Sequence, residues 1–161
     1  MFSRFSPLLY VQLSAERIVI EEASGARLVD EVPDLAISRG PDVRVMAVGA
    51  PARDAAVRAG GRCVNPFAHP RTLMSDFTLA EVVLRYFVRR ALGNGWLTPS
   101  PRILLHPLGD PEGGFTQVEW RAFRELALGA GASKAYLWSG RPVSVVERNT
   151  AEFLKRCEGA G

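Results

Sequence analysis

The order of the predicted elements constrains this chain more than any other feature of its sequence. Two apolar runs rich in strand-forming residues, Leu8–Leu13 and 17–20, flank Ser14-Ala15-Glu16 and predict a β-hairpin. Further along, short apolar runs at 102–106 and 135–138 alternate with helical patterns. Strands that come first and then alternate with helices predict an α/β fold with a mixed sheet and flanking helices. The later strands should be parallel and joined by right-handed crossovers.

Helix signals are clearest in the second half of the chain. Apolar residues recur at helical spacing at Leu79, Val82, Val83, Tyr86, Phe87 and Ala91. Asp76 or Thr78 can cap the start of this helix, and Gly93 ends it. Thr116 and Glu119 form a capping-box pattern that starts a second helix. The remaining predicted elements are strands at 35–38 and 43–48, a loop at 65–75, and helices at 51–59 and 145–157.

The composition is that of one folded domain. The chain has 161 residues, of which 47% are hydrophobic and 23% are charged. No apolar stretch reaches the roughly 18–20 residues that cross a bilayer. The start of the chain lacks a signal-peptide pattern, so the sequence predicts a cytoplasmic location. A net charge of +3, without a basic run interleaved with aromatic residues, argues against nucleic-acid binding.

Few residues could bind a metal or act as nucleophiles. Cys63 and Cys157 are far apart and the chain has two histidines, so we expect no metal site of the Cys/His kind. Without a secretion signal, two reduced thiols are favoured over one disulfide. His106 ends an apolar run and is predicted to be structural, since no Ser/His/Asp or Cys/His constellation suggests hydrolase chemistry.

Several motifs follow one another in a characteristic order. They are Glu31-Val32-Pro33-Asp34-Leu35-Ala36-Ile37, Pro99-Ser100-Pro101-Arg102, Thr116-Gln117-Val118-Glu119-Trp120-Arg121-Ala122 and Gly129-Ala130-Gly131-Ala132. In this order and spacing, from residue 1 to about residue 142, the chain resembles the MreB-type bacterial actin-like proteins. The resemblance implies that residues 1–161 form a single truncated actin-like domain. This domain would correspond to the first large subdomain of the actin/ribonuclease H-like fold. It also implies a class of proteins that polymerise on the inner face of the bacterial membrane and direct cell-wall synthesis and rod shape.

The stretch that corresponds to the family's first phosphate hairpin is degenerate. Hairpins of this kind read D-x-G-T; the Asp acts on the metal and its waters, and backbone amides bind phosphate oxygens. The family sequence I-D-L-G-T is here V-Q-L-S-A, residues 11–15. Gln12 removes the metal-directed charge. Ser14 and Ala15 replace Gly and Thr, which restricts the approach of the backbone and removes a hydroxyl from its place. The resemblance therefore implies a nonfunctional phosphate site at Gln12, Ser14 and Ala15.

A second family motif, I-E-E-P, carries the carboxylate that positions the attacking water. The matching residues Trp138-Ser139-Gly140-Arg141-Pro142 contain no carboxylate, and the sequence stops before the second phosphate hairpin and the second lobe. These departures predict a protein that is not an ATPase, does not bind ATP strongly and has no cofactor. The alternative is that Arg141 or Arg17 restores phosphate affinity by its charge.

Two apolar segments are candidates for membrane contact. Trp96 and Leu97 stand where the family has two bulky apolar residues in a loop that dips into the membrane, and Trp favours the interface. Phe2 and Phe5 beside Arg4 are suited to a headgroup layer, as in the amphipathic anchors of this family. The alternatives are that Trp96 folds over the neighbouring helix as a lid, and that residues 2–5 only lead into the first strand.

The retained scaffold and the altered hairpin predict a non-catalytic structural or interaction protein linked to cell shape. Its expected partners are MreB-type filaments, a second copy of the chain, and the inner membrane surface, where it would be peripheral. One alternative is the nucleotide-binding half of an actin-like ATPase that a partner chain completes. Another is a decayed gene product without a selected role. Because a lone lobe must cover the face that a second lobe would bury, the 145–157 helix is predicted to lie on the sheet.

Overall fold

The computed structural model describes residues 6–69, 73–93, 95 and 97–159. The strands within them are, in chain order, β1 (Leu8–Leu13), β2 (Ile18–Glu22), β3 (Arg27–Glu31), β4 (Leu35–Ile37), β5 (Val45–Val48), β6 (Arg62–Val64), β7 (Arg102–Pro107) and β8 (Lys134–Leu137). The helices are α1 (Ala52–Ala59), α2 (Phe77–Leu92), α3 (Gln117–Gly129), α4 (Val145–Arg148) and α5 (Ala151–Glu158). This order confirms the predicted α/β class.

A five-stranded mixed sheet in the order β3-β2-β1-β7-β8 forms the centre of the structure. β1 and β2 pair antiparallel, which confirms the predicted hairpin. β1 also pairs in parallel with β7, and β7 pairs in parallel with β8. Parallel neighbours need a long connection, and α2 and α3 lie in the segments that lead to β7 and β8. The three parallel strands therefore end at the same edge of the sheet.

The alternation of side chains along β1 divides the sheet into two packed faces. Leu9, Val11 and Leu13 lie on the first face, which α2 and α3 cover. Phe87 of α2 and Phe123 of α3 are buried in this layer. Of the two predicted cap residues of α2, Asp76 accepts the hydrogen bond at the start of the helix, and the predicted capping box starts α3.

The second face of the sheet is covered by the C-terminal segment. Leu8 and Tyr10 of β1 pack there against Phe153, Leu154 and Cys157 of α5. The helical cover that the sequence predicted is therefore present.

The prediction of one helix over 145–157 is wrong, because the segment forms two helices. Ser144 and Glu147 make a capping box at the start of α4. Thr150 then caps α5 by accepting a hydrogen bond from the amide of Phe153. A capping side chain competes with the helical backbone for hydrogen bonds, so the second cap starts a new helix at Ala151.

A smaller three-stranded sheet, in the order β5-β4-β6, lies beside the main one. Ala36 of β4 packs against Ala52 and Ala56 of α1, and all three are buried. The opposite side of β4 joins the main core through Leu35 and Ile37. Small side chains on one side let α1 lie close to the sheet, while the larger ones tie the small sheet to the body of the protein.

Two strands were not predicted from the sequence. β3 is an edge strand of the main sheet in which only Val29 is buried, and its charged residues hide the alternation. β6 has three residues and directly follows the glycine pair at 60–61, where α1 ends. Both strands depend on pairing with β2 and β4 rather than on local propensity.

Candidate functional site

The candidate site lies where the three parallel strands end, the edge at which α/β sheets commonly bind ligands. Gln12 is paired in register with His106 of β7. The amide of Trp138, just after β8, donates to the carbonyl of Leu105 at 3.1 Å. The structure therefore brings the altered hairpin, residues 12–15, and the segment 138–142 to one edge of the sheet.

The hydroxyl of Ser14 occupies the inside of the turn between β1 and β2. Its oxygen accepts hydrogen bonds from the amides of Glu16 at 3.2 Å and Arg17 at 3.1 Å. The amide of Ser14 donates to the carbonyl of Arg17 at 3.0 Å, which closes the turn. A hydroxyl that accepts from backbone amides is a common local turn device. Here it engages two backbone amides of the turn that corresponds to the family's phosphate hairpin.

The other two altered positions give the turn no charge. Gln12 is half-buried near the end of β1 and bears a neutral amide. The carbonyl of Ala15 accepts a hydrogen bond from the side chain of Asn65 at 2.7 Å, which ties the turn to the loop after β6. In the part of the chain that the structure describes, no group of three or more His, Cys, Asp or Glu residues could hold a metal ion.

A buried hydrogen-bond chain joins the strand ends to the segment after β8. Nε2 of His106 lies 3.0 Å from the carbonyl of Gly140, so this nitrogen donates. Nδ1 is then the acceptor for the hydroxyl of Tyr10 at 2.8 Å, and that hydroxyl accepts from the amide of Val143 at 3.1 Å. Burial lowers the pKa of His106 and raises the pKa of Tyr10, which keeps both groups neutral. His106 is therefore a buried, hydrogen-bonded histidine, as the sequence predicted.

The two arginines that were considered as phosphate ligands both have carboxylate partners. Arg141 makes two hydrogen bonds to Glu147, at 2.8 and 2.5 Å. Arg17 donates to Asp30 of β3 at 2.5 Å. These pairs lower the pKa of Glu147 to about 2 and lower the pKa of Asp30. A phosphate would have to compete with a carboxylate for either guanidinium.

Arg148 is a buried residue that the sequence analysis missed. Its side chain is 1% exposed and donates to Glu21 of β2 at 2.9 Å. Its guanidinium carbon lies 5.0 Å from the centre of the Tyr10 ring, a cation–π contact. The capping box of α4 was the only local signal, and it indicates a helix start rather than a buried charge. Arg148 fixes α4 to the hairpin from the side opposite α2 and α3.

Of the four residues predicted to contact a membrane, the structure describes only one. Leu97 is 75% exposed in the segment between α2 and β7. Phe2, Phe5 and Trp96 lie outside the described residues. None of the helices in the described ranges combines the length and the apolarity needed to cross a membrane.

Comparison with known sequences finds relatives that agree with the resemblance noted in the sequence. No protein-family model matches the chain. Cell shape-determining protein MreB of Pasteurella multocida is 31% identical over 137 residues, and the same protein of Escherichia coli K12 is also 31% identical over 137 residues. Each alignment covers 83% of this chain and 38% of the relative. The chain is related to the MreB-type actin-like proteins. It spans 38% of the length of these curated MreB relatives.

Solved structures of actin-like proteins share the fold. MreB5 of Spiroplasma citri bound to AMPPNP superposes with a TM-score of 0.65 at 18% identity, over 83% of this chain and 38% of that one. A non-polymerising A278D mutant of MamK bound to AMPPNP gives a TM-score of 0.64 at 14% identity, over 83% and 41% of the two chains. The mixed sheet and flanking helices of this MreB-related chain are therefore those of an actin-like protein.

Proposed function

We propose that this MreB-related chain is a non-catalytic interaction protein of the cytoplasm that modulates MreB-type filaments. The observation that supports this most directly is the turn between β1 and β2. There the Ser14 hydroxyl engages the amides of Glu16 and Arg17, and Gln12 replaces a metal-directed carboxylate. A phosphate hairpin needs free amides and a charge directed at the metal. The actin-like scaffold is retained while this chemistry is altered.

The proposed action is binding to one face of a filament subunit. The relatives from P. multocida and E. coli are named cell shape-determining proteins, and this chain shares 31% of aligned residues with them. A chain with the same scaffold can compete for a contact that MreB subunits make with each other, and so cap or slow assembly. Self-association of the chain through the same surface belongs to this proposal.

The first test is calorimetry of the purified full chain with ATP and magnesium. We expect no measurable heat at high micromolar protein concentration. A variant that combines Gln12→Asp, Ser14→Gly and Ala15→Thr rebuilds the family's hairpin sequence and removes the hydroxyl that engages the amides. A Ser14→Ala variant is the matched control, because it removes only the hydroxyl and leaves the charge and the glycine absent.

The outcomes of this test separate two functions. Weak or absent binding by the natural chain, with a gain in the triple variant, would attribute the loss to these three residues. Micromolar binding of ATP by the natural chain would contradict the proposal. It would favour the alternative, a nucleotide-binding half of an actin-like ATPase that a partner chain completes.

The filament proposal is tested by sedimentation of purified E. coli MreB in the presence of ATP and increasing amounts of the chain. We expect the chain either to pellet with the polymer or to lower the pelleted fraction of MreB. The chain centrifuged alone shows whether it pellets by itself. An unchanged MreB pellet and a chain that stays in the supernatant would contradict filament modulation.

We also propose a peripheral contact with the inner membrane surface through Leu97 and Trp96, supported by the 75% exposure of Leu97. The Trp96→Ser, Leu97→Ser double variant should lose co-sedimentation with liposomes. Val57→Ser is the control, because Val57 is 78% exposed on α1. Equal binding by the natural chain and the double variant would contradict the contact at this loop. Residual binding that only a Phe2→Ser, Phe5→Ser variant removes would assign it to the N-terminal residues.

A further inference from the structure

A groove of about 580 Å³ lies between β5 and the C-terminal half of α2. Its apolar lining comes from both elements and consists of Val45, Val48, Val82 and Tyr86. Tyr86 is 44% exposed and Val45 is 41% exposed, so apolar surface faces the solvent here. Apolar side chains from two elements that surround an open groove favour a ligand with apolar side chains of its own.

The edge of β5 makes this groove suitable for an extended ligand. β5 is one of the two outer strands of the small sheet and, among the described strands, pairs with β4 alone. Its sequence, Val-Met-Ala-Val, contains none of the lysines, prolines or inward charges that usually protect a sheet edge. Its backbone groups on the open side are therefore available to a further strand.

The charges around the groove select the chemistry of the ligand. Arg85 is paired with Glu81, and Arg90 donates to Glu31 at 2.9 Å. Arg89 also lines the groove and has no carboxylate partner among the described residues. Arg44, which directly precedes β5, is exposed and likewise unpaired within the described ranges. Arg89 at the groove and Arg44 at the start of β5 therefore give this region unpaired positive charge. Such charge is complementary to a segment that carries carboxylates between its apolar side chains.

We propose that this groove binds an extended acidic and apolar segment of a partner protein, which adds a strand to the open edge of β5. The main chain of the segment would supply hydrogen bonds, alternate apolar side chains would enter the groove, and carboxylates would lie beside Arg89 and Arg44. This inference does not depend on filament modulation or on the state of the β1–β2 turn.

The test is an NMR titration of the ¹⁵N-labelled full chain with short synthetic peptides. One peptide alternates glutamate and valine, a second alternates lysine and valine, and a third repeats the first with alternate amides N-methylated. We expect the acidic peptide to shift the amide signals of Val45–Val48 and of the facing part of α2. The lysine peptide should bind at least several-fold more weakly, and N-methylation should abolish the shifts at β5 because it blocks strand pairing.

Protein variants then locate the charge contacts. Arg44→Ser combined with Arg89→Ser should raise the dissociation constant of the acidic peptide by roughly two- to thirtyfold, the range expected for two exposed ion pairs. Arg58→Ser is the control, because Arg58 is exposed on α1 and has no carboxylate partner in the described part of the chain. It should leave the affinity unchanged.

Three results would overturn the proposal. The first is an acidic peptide that leaves the β5 amides unshifted. The second is equal binding of the acidic and lysine peptides, or of the N-methylated peptide. The third is a shift of the β5 amides when the protein alone is concentrated, which would assign this edge to a second copy of the chain.

Discussion

At the scale of single residues, two side-chain hydroxyls organise the edge where the parallel strands end. The Ser14 hydroxyl accepts from the amides at positions 16 and 17. The Tyr10 hydroxyl links His106 to the amide of Val143. The Tyr10 hydroxyl satisfies buried polar atoms, which would be costly to leave without a partner, whereas the Ser14 hydroxyl satisfies amides of an exposed turn.

The Tyr10→Phe variant tests the buried chain of hydrogen bonds. It leaves the ring but removes the partner of both His106 and Val143, so we expect a loss of about 1–3 kcal/mol in the free energy of unfolding. The measurement is equilibrium denaturation in urea. Tyr86→Phe is the matched control, because Tyr86 is 44% exposed on α2. Equal effects of the two substitutions would contradict a structural role for the Tyr10 hydroxyl.

The two cysteines should differ in reactivity. Cys63 is exposed and Cys157 is 2% exposed. Burial raises the pKa of both thiols, and it raises that of the Cys157 thiol to about 11. Because the thiolate is the reactive form, Cys157 should resist a thiol reagent until the protein unfolds. A colorimetric thiol assay of the native chain should report one rapidly reacting thiol, which Cys63→Ser removes and Cys157→Ser keeps. Two rapidly reacting thiols, or a fast reaction that survives in Cys63→Ser, would contradict this assignment.

At the scale of elements, capping side chains decide where the C-terminal segment divides into two helices. The Ser144–Glu147 capping box starts α4, and the Thr150 cap starts α5. The break lets Arg148 turn inward to Glu21 while Phe153 packs on the sheet. In one continuous helix, the positions of Arg148 and Phe153 would both be fixed by the helical repeat of about 3.6 residues.

The pairing of Glu147 with Arg141 should make the stability of the fold around α4 depend on pH in the acidic range. The hydrogen bonds from Arg141 lower the pKa of Glu147 to about 2 from its ordinary 4.5. A carboxyl whose pKa is lower in the folded state stabilises the fold above the unfolded value, and this contribution is lost as the pH falls. We therefore expect the stabilising contribution to disappear between about pH 4.5 and pH 2.

The measurement for this pH dependence is a comparison of the natural chain with Glu147→Gln. Glutamine at this position keeps the capping box but cannot pair with Arg141 as a charge. The natural chain should be the more stable of the two near neutral pH. The difference in their free energies of unfolding should shrink steadily below about pH 4.5. A difference that stays constant down to pH 2 would contradict the role of the ion pair.

At the scale of the whole molecule, one sheet joins two helical layers. The first layer packs on Leu9, Val11 and Leu13, and the second packs on Leu8 and Tyr10 of the same strand. Loss of either layer exposes a face of β1 and β7 to water, so the two layers should stabilise each other. The C-terminal segment is therefore part of the fold rather than an appendage to it.

The Phe153→Ala variant tests this dependence. Removal of a buried aromatic ring should cost about 3–5 kcal/mol. Unfolding followed by far-ultraviolet circular dichroism and by tryptophan fluorescence should shift together, because the layers unfold as one unit. Phe77→Ala is the control, since Phe77 is 39% exposed at the start of α2. Two separated transitions would show that the layers unfold independently.

The sequence by itself was sufficient for the elements with strong local signals. The hairpin, α2 with its Asp76 cap, α3 with its capping box, and the parallel strands β7 and β8 all follow from periodicity and caps. The ordered motifs also indicated the MreB relationship and the positions Gln12, Ser14 and Ala15. Such signals act within a few residues of one another, so no distant contact is needed to read them.

The tertiary structure decided what depends on residues far apart in the chain. β3 and β6 form because β2 and β4 offer them edges, and Arg148 is buried because Glu21, 127 residues away, lies beside it. The occupation of the turn amides by Ser14 also required the three-dimensional path of the turn. Pairing, burial and hydrogen-bond partners arise only when the chain has closed on itself, and a local pattern does not contain them.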